Sequence, residues 1–139
     1  MEKPPPRPAG ATIAHIGIAV NALADSVSFY RDVLGLEVES KVAGRHVFFR
    51  CGAAVFLVFN PEATRRGGGP VPAHGASGPG HVAFAARPEE LPGWREQLAR
   101  GGVPLEQEVR WPGGGVSLYF RDPAGNSIEL ATPGIWAQE

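Results

Sequence analysis

Two histidines and one glutamate stand in short runs that otherwise read as buried β-strands. His15 lies in "IAHIGIAV" (13–20), His81 in "GHVAFAA" (80–86) and Glu129 in "NSIELAT" (126–132). Because strand side chains alternate between the two faces of a sheet, each of the three shares its face with small neighbours, and bulkier residues fill the other face. Two imidazoles and one carboxylate beside open space form a set typical of Fe(II), Mn(II) or Zn(II) sites that keep positions open for substrate. The alternative is that each is an ordinary polar residue on a half-exposed strand.

The elements that must position these side chains occur twice along the chain. "ATIAHIGIAV" predicts a strand, "NALADSVSFYRDVLGL" has helical spacing, and three short strand candidates follow. "GHVAFAA" is likewise followed by a predicted helix, "RPEELPGWREQLARGG", and by three more strand candidates. The sequence therefore predicts a duplicated β-α-β-β-β module within one domain. Its parts are a mobile N-terminal tail (1–10), the first module (11–61), a linker (62–79) and the second module (80–135).

Composition excludes several classes of partner. The 139 residues include 13 basic and 14 acidic side chains and no basic run, which disfavours nucleic acid and anionic membranes as partners. No stretch reaches the ~18 apolar residues that a membrane span needs. Cys51 is the single cysteine, so no intrachain disulfide can form, and we expect a reducing, cytoplasmic location.

The segments "HIGIAV…ADSVSFYRDVLGLEVE", "GHVAF" and "YFRDPAGNSIEL" resemble the vicinal oxygen chelate superfamily, which includes glyoxalase I, extradiol dioxygenases and bleomycin-resistance proteins. The resemblance covers about residues 12–133. It implies an α+β fold in which two βαβββ modules form a partly open mixed β-barrel around one divalent metal ion (Fe, Mn, Zn or similar). By position, it makes His15, His81 and Glu129 the metal ligands.

The sequence departs from part of this family at a fourth ligand position. Glyoxalase I and methylmalonyl-CoA epimerase have a further protein ligand on the last strand of the first module. Matching the two halves of the chain puts that position at Phe56 or Leu57, neither of which can bind a metal. Three ligands resemble the extradiol dioxygenases and the fosfomycin thiol transferases instead. The threonine that the thiol transferases have just after the first histidine is Gly17 here, which argues against fosfomycin.

The same alternation of faces predicts which residues form one wall of the substrate pocket. Ser117 and Tyr119 share a face of "VSLYFRD", and the repeat maps them onto His46 and Phe48 of "RHVFFRC". We predict catalytic roles for Glu129 and Tyr119. The predicted substrate-binding residues are His46, Phe48, Phe56, Ser117 and Tyr119. The alternative makes Tyr119 a core residue and His46 a surface residue.

These observations predict a metal-dependent enzyme of the glyoxalase or dioxygenase type, acting on a small oxygenated metabolite chelated to the ion. One alternative is a drug- or metabolite-binding protein without catalysis, as bleomycin-resistance proteins are, and another is a fosfomycin-type thiol transferase. Each module is a small sheet with one face that needs cover, which predicts a homodimer. The resemblance favours shared sites that combine His15 of one chain with His81 and Glu129 of the other.

Overall fold

The computed structural model describes residues 15–66 and 69–136, so the predicted N-terminal tail lies outside the described residues. The first module contains β1 (His15–Ala19), α1 (Leu23–Val27) continued by a π-helical turn (Ser28–Val33), β2 (Glu37–Val42), β3 (His46–Cys51) and β4 (Ala54–Phe59). A short helix, α2 (Pro61–Thr64), begins the connection to the second module. The second module contains β5 (His81–Ala85), a 3₁₀ turn (Pro88–Glu90), α3 (Leu91–Arg100), β6 (Gln107–Arg110), β7 (Val116–Arg121) and β8 (Ser127–Ala131).

Each module forms one four-stranded mixed sheet, and the two sheets have the same topology. The strand orders are β1-β4-β3-β2 and β5-β8-β7-β6. In each sheet the first strand runs parallel to the last, and the other pairs are antiparallel. The two sheets do not close into a barrel within the chain. The predicted α+β fold of two βαβββ modules in a partly open arrangement is therefore confirmed.

The core lies on the faces of the sheets opposite to the predicted metal ligands His15, His81 and Glu129. Val47, Phe49 and Val58 of the first sheet and Leu118, Phe120 and Leu130 of the second are almost completely inaccessible to solvent. Aromatic rings continue this core from one module into the other. The ring of Phe56 contacts that of Phe84 at 5.4 Å between centroids, and Phe29 contacts Phe120 at 6.2 Å.

A buried polar network also joins the two modules. The Tyr30 hydroxyl donates to Asp122 Oδ2 at 2.7 Å, and Asn126 Nδ2 donates to the same oxygen at 2.9 Å and to the carbonyl of Ala19 at 3.1 Å. Burial and the Asp122 carboxylate raise the pKa of Tyr30 far above its ordinary value. Because a phenol held in this way stays protonated, the network fixes the position of the first module against the second.

The opposite faces of the two sheets remain open in the single chain. His15 and Gly17 on β1, and His81, Ala83 and Ala85 on β5, are all exposed. No helix among the described residues has the length and apolar character needed to cross a membrane. His15 and His81, two of the metal ligands predicted from the sequence, thus lie on the open faces of the two sheets.

Candidate metal centre

His81 and Glu129 meet on the open face of the second sheet. Across the parallel pair of β5 and β8, His81 is level with Ser127 and Ala83 is level with Glu129. This register places the two side chains on the same face, one step apart, and His81 Nε2 lies 3.2 Å from Glu129 Oε1. Glu129 is 5% exposed, whereas half of the His81 side chain is accessible. The pair thus consists of a buried carboxylate and an imidazole that a ligand can reach.

The backbone fixes which nitrogen of His81 carries a proton. His81 Nδ1 lies 3.0 Å from the carbonyl oxygen of Ser127, which can only accept a hydrogen bond. Nδ1 must therefore carry the proton, and in the neutral ring the lone pair of Nε2 points at Glu129 Oε1. Two lone pairs that face each other at 3.2 Å are stabilised by a cation between them, either a proton on the ring or a metal ion.

The second oxygen of Glu129 is bound from within the protein. Ser117 Oγ donates to Glu129 Oε2 at 2.6 Å, and the indole nitrogen of Trp111 donates to Ser117 Oγ at 2.9 Å. Ser117 is 0% exposed, so its predicted role in contacting substrate is corrected: its hydroxyl is committed to Glu129 and Trp111. The sequence interpretation missed Trp111. The sequence did contain a signal for Trp111. It begins the turn "WPGGG" between β6 and β7 and comes two residues after Val109, so it lies on the same face as Val109. Val109 is level with Ser117 across the two strands.

Tyr119 completes this side of the site. It is level with Glu129 across β7 and β8, and its ring stacks beside that of His81 at 6.3 Å between centroids. Burial, followed by the charge of the Glu129 carboxylate, raises the pKa of Tyr119 above its ordinary value. The phenol therefore stays protonated at neutral pH and is a hydrogen-bond donor at the site.

A cavity of about 800 Å³ opens beside these groups. Its polar end is formed by His81, Tyr119 and Glu129, and its apolar walls include Trp111 and Ile135. Arg87 also lines the cavity and lies 3.5 Å from both Glu89 and Glu90. A space of this size, with mainly apolar walls and a small number of polar groups, is typical of small-molecule sites.

His15 occupies a different groove, on the open face of the first sheet. Leu57, Phe59 and His74 line that groove with it. Within residues 15–66 and 69–136 of one chain, no three His, Cys, Asp or Glu side chains come close enough together to hold a metal ion. A single chain therefore brings His81 and Glu129 together but keeps His15 apart from them.

The register also decides between the two candidates for the fourth ligand position. Gly17 is level with Leu57 across β1 and β4, as Ala83 is level with Glu129 in the second module. Leu57 Cβ would lie 3.4 Å from a Cβ built on Gly17, so Leu57 is the structural counterpart of Glu129. Phe56 points the other way and is 2% exposed in the core, with its ring 5.0 Å from that of Tyr30. The prediction that Phe56 contacts substrate is wrong for this reason.

His46 and Phe48 belong to an aromatic surface on the first sheet. Their rings stack at 4.0 Å, and Phe59 contacts both, at 6.2 and 5.8 Å. His46 is 8% exposed, and Arg45 Nη1 contacts its Nδ1. Burial and the nearby Arg45 charge lower the pKa of His46, which makes the ring neutral at pH 7. His46 is thus less accessible than the predicted substrate-binding role requires, whereas Phe48 is half-buried.

The space around position 17 on this surface explains why the residue there is glycine. A Cβ at position 17 would lie 2.7 Å from Cε2 of Phe59, so the phenyl ring already occupies the space that a side chain would need. The threonine hydroxyl that the thiol-transferase pattern has near this point is replaced by an aromatic ring. Phe59, like Trp111, was not singled out by the sequence.

The donor chemistry of the second module fits a divalent metal ion. A metal needs deprotonated ligands, and the site offers an Nε2 lone pair held by the contact between Nδ1 and a backbone carbonyl, together with one carboxylate oxygen. The other carboxylate oxygen is already hydrogen-bonded, as carboxylates that ligate metals commonly are.

Comparison with known proteins agrees with this architecture. Residues 12–130 match the model of the Glyoxalase/Bleomycin resistance protein/Dioxygenase superfamily. A lactoylglutathione lyase structure from Agrobacterium tumefaciens superposes with a TM-score of 0.86 at 38% identity, covering 97% of this chain and 99% of that chain.

Two similar relatives are named as a metallothiol transferase and a glutathione transferase. The metallothiol transferase FosB of Bacillus licheniformis is 31% identical over 125 residues, which are 89% of this chain and 77% of the relative. The glutathione transferase FosA of Serratia marcescens is 28% identical over 119 residues, covering 86% and 79% of the two chains. With the superfamily model matching most of its length, this chain belongs to the glyoxalase/bleomycin resistance protein/dioxygenase superfamily.

Proposed function

We propose that the protein is a metal-dependent enzyme in which one divalent ion chelates two oxygens of a small metabolite. The observation that carries the proposal is the pairing of His81 Nε2 with Glu129 Oε1 at 3.2 Å, at the polar end of the cavity. The contact of His81 Nδ1 with the Ser127 carbonyl supports it, because that contact leaves Nε2 available to a metal. Membership of a superfamily with metal-dependent enzymes is consistent with it.

The third ligand in this proposal is His15 of the partner subunit. His15, Gly17, His81, Ala83 and Ala85 all lie on open sheet faces that a second copy of the chain can cover. A two-fold dimer that places the first sheet of one chain against the second sheet of the other forms two equivalent sites. Each site then has two histidines and one glutamate, and leaves coordination positions open for substrate.

The side chains of the site then have separate tasks. Glu129 supplies the negative charge, and the contact of His81 Nδ1 with the Ser127 carbonyl holds the His81 ring in place. Tyr119 lies beside Glu129 as a protonated phenol and would turn its hydrogen bond towards the metabolite when the metabolite binds. The apolar side chains of Trp111 and Ile135 line the same cavity and exclude water from part of it. When bound, the metal ion acts as a Lewis acid that polarises the substrate oxygens.

Metal content is the first test. Protein purified without chelators should contain one equivalent of a divalent ion per chain by elemental analysis. His15→Ala, His81→Ala and Glu129→Ala should each lose most of it, because removing one of three ligands removes a major part of the affinity. His74→Ala is the matched control, since His74 is exposed and its ring contacts Phe59 rather than a candidate ligand. Retention of metal by all three ligand variants would show that the site is elsewhere.

Mixed dimers test whether the sites are shared between subunits. When His15→Ala and Glu129→Ala chains are unfolded and refolded together in equal amounts, half of the dimers should be mixed, each with one intact site. Metal binding should then return to about a quarter of the wild-type capacity. Mixing His81→Ala with Glu129→Ala should restore none, because both changes affect the same half of the site. A monomer at micromolar concentration, or no recovery in the first mixture, contradicts the shared site.

The reaction subclass divides between two candidates that the relatives suggest. The 38% identity to a lactoylglutathione lyase favours lyase or isomerase chemistry on an oxygenated thioester, for which S-lactoylglutathione is the probe. The relative named FosB favours thiol transfer to fosfomycin, although Gly17 stands where the thiol transferases have a threonine, and the Ser117 hydroxyl is buried. Incubation of the metal-loaded protein with S-lactoylglutathione, or with fosfomycin together with a thiol such as glutathione, separates the two. A cytoplasmic location stays a prediction.

A further inference from the structure

The hydrogen bonds that run from Trp111 through Ser117 to Glu129 have only one allowed direction. An indole N–H can only donate, and an ionised carboxylate can only accept. Ser117 has a single hydroxyl proton, so it accepts from Trp111 Nε1 at 2.9 Å and must give its own proton to Glu129 Oε2 at 2.6 Å. The hydroxyl cannot rotate away without leaving a buried polar group unpaired.

This chain treats the two oxygens of Glu129 differently. Oε2 is directed into the protein, towards a serine that is 0% exposed, whereas Oε1 faces His81 Nε2. Hydrogen bonds to a charged group are among the strongest in proteins, and this short one holds the carboxylate in one orientation. Trp111 also lines the cavity, so the same indole forms part of its wall and fixes Ser117.

We propose that Ser117 and Trp111 are positioning residues that make Glu129 a ligand through Oε1 alone. This inference rests on the proposed metal site. Its consequence is that one coordination position, which a two-oxygen carboxylate would take, stays free for a substrate oxygen. Neither residue touches the ion; both act through the orientation of Glu129.

Metal titration of the full-length protein tests the proposal. With Mn²⁺ as the probe, Ser117→Ala should weaken binding about ten- to a hundredfold, the usual effect of losing a hydrogen bond to a metal ligand. Ser26→Ala is the matched control. Ser26 is 1% exposed, and its Oγ has no hydrogen-bond partner within the part of the chain that the structure describes. Ser26→Ala thus removes a buried hydroxyl without affecting Glu129, and should bind Mn²⁺ as the wild type does.

Infrared difference spectra supply a readout that lost stability would not mimic. A carboxylate bound through one oxygen has a wider separation between its asymmetric and symmetric stretching bands than one bound through two. Metal-loaded minus metal-free spectra should show the wide separation for the wild type and for Ser26→Ala. The separation should narrow for Ser117→Ala, because Oε2 is then free to reach the ion.

The outcomes distinguish this inference from the proposed function. A wild-type protein that binds no Mn²⁺ overturns both. A wild type that binds, with Ser117→Ala of unchanged affinity and band separation, overturns the positioning role and leaves the metal site standing. If Ser117→Ala does not fold, Trp111→Phe takes its place, since it keeps an aromatic ring at the half-buried cavity wall and removes the indole donor. For Trp111→Phe, a measurable loss of Mn²⁺ affinity of less than tenfold, together with a narrower band separation, supports the proposal. Wild-type affinity and wild-type band separation in this variant overturn it.

Discussion

Replacing Leu57 by glutamate should add a fourth metal ligand. Leu57 occupies the place in the first sheet that Glu129 occupies in the second, level with Gly17 as Glu129 is level with Ala83. Structural zinc sites with four ligands bind with about 10–16 kcal/mol, so one ligand is worth roughly 3 kcal/mol. Leu57→Glu should therefore tighten Mn²⁺ binding by about a hundredfold. It should also slow turnover, because the new carboxylate takes a position that substrate needs.

Competition against a chelator measures the affinity, and two matched variants interpret it. Leu57→Gln has nearly the same size without the charge and should bind Mn²⁺ close to the wild-type value. Phe56→Glu places the charge one residue away, on the opposite face. Phe56 is 2% exposed and contacts the rings of Tyr30, Phe49 and Phe84, so truncating it alone costs about 3–5 kcal/mol. A buried unpaired charge adds to that cost, and against a total stability of about 5–15 kcal/mol we expect Phe56→Glu to unfold.

The result that refutes this reasoning is a folded Leu57→Glu protein with wild-type metal affinity. Circular dichroism and the thermal midpoint establish that the variant is folded, and the mass in solution establishes its oligomeric state. Equal affinity in that protein would mean that the first sheet does not face the metal, or that the two halves of the chain are not equivalent at this strand.

Three further predictions concern stability. Because the pKa of His46 is lowered in the folded protein, the unfolded state takes up more protons below about pH 6.5. The free energy of unfolding should therefore fall with acidification, and should fall less in His46→Phe. Thermal melts with the same pH profile for both proteins would contradict this. Tyr30→Phe removes the 2.7 Å hydrogen bond to Asp122 and should cost about 1.5–3 kcal/mol in urea unfolding, where an unchanged midpoint would show the network to be unimportant. Gly17→Thr should cost about 1–3 kcal/mol through its clash with Phe59, and Phe59→Ala should cancel that cost in the double variant; simple additivity would argue against the clash.

The sequence alone determined the architecture of this protein and the faces of its strands. Repetition of "HIGIAV" as "HVAFAA" predicted two equivalent modules, and the period of two along each strand placed His81 and Glu129 on one face, as the register confirms. These features are local: they depend on neighbours within a strand or on spacing between similar segments. For the same reason the sequence could not decide between Phe56 and Leu57, since a shift of one residue in the matching of the halves exchanges the two faces.

What only the tertiary structure decided is how side chains from different strands share their hydrogen bonds and their space. Ser117 has the right type and face for contact with substrate, yet its hydroxyl is taken by Glu129 and Trp111, which approach it from the neighbouring strand and the hairpin turn. The place of His15 is settled in the same way, because the core and the contact of Tyr30 with Asp122 hold the two sheets so that its groove is separate from that of Glu129. Such competition for a proton or a cavity depends on distances between elements far apart in the chain, and residue types and their spacing do not specify those distances.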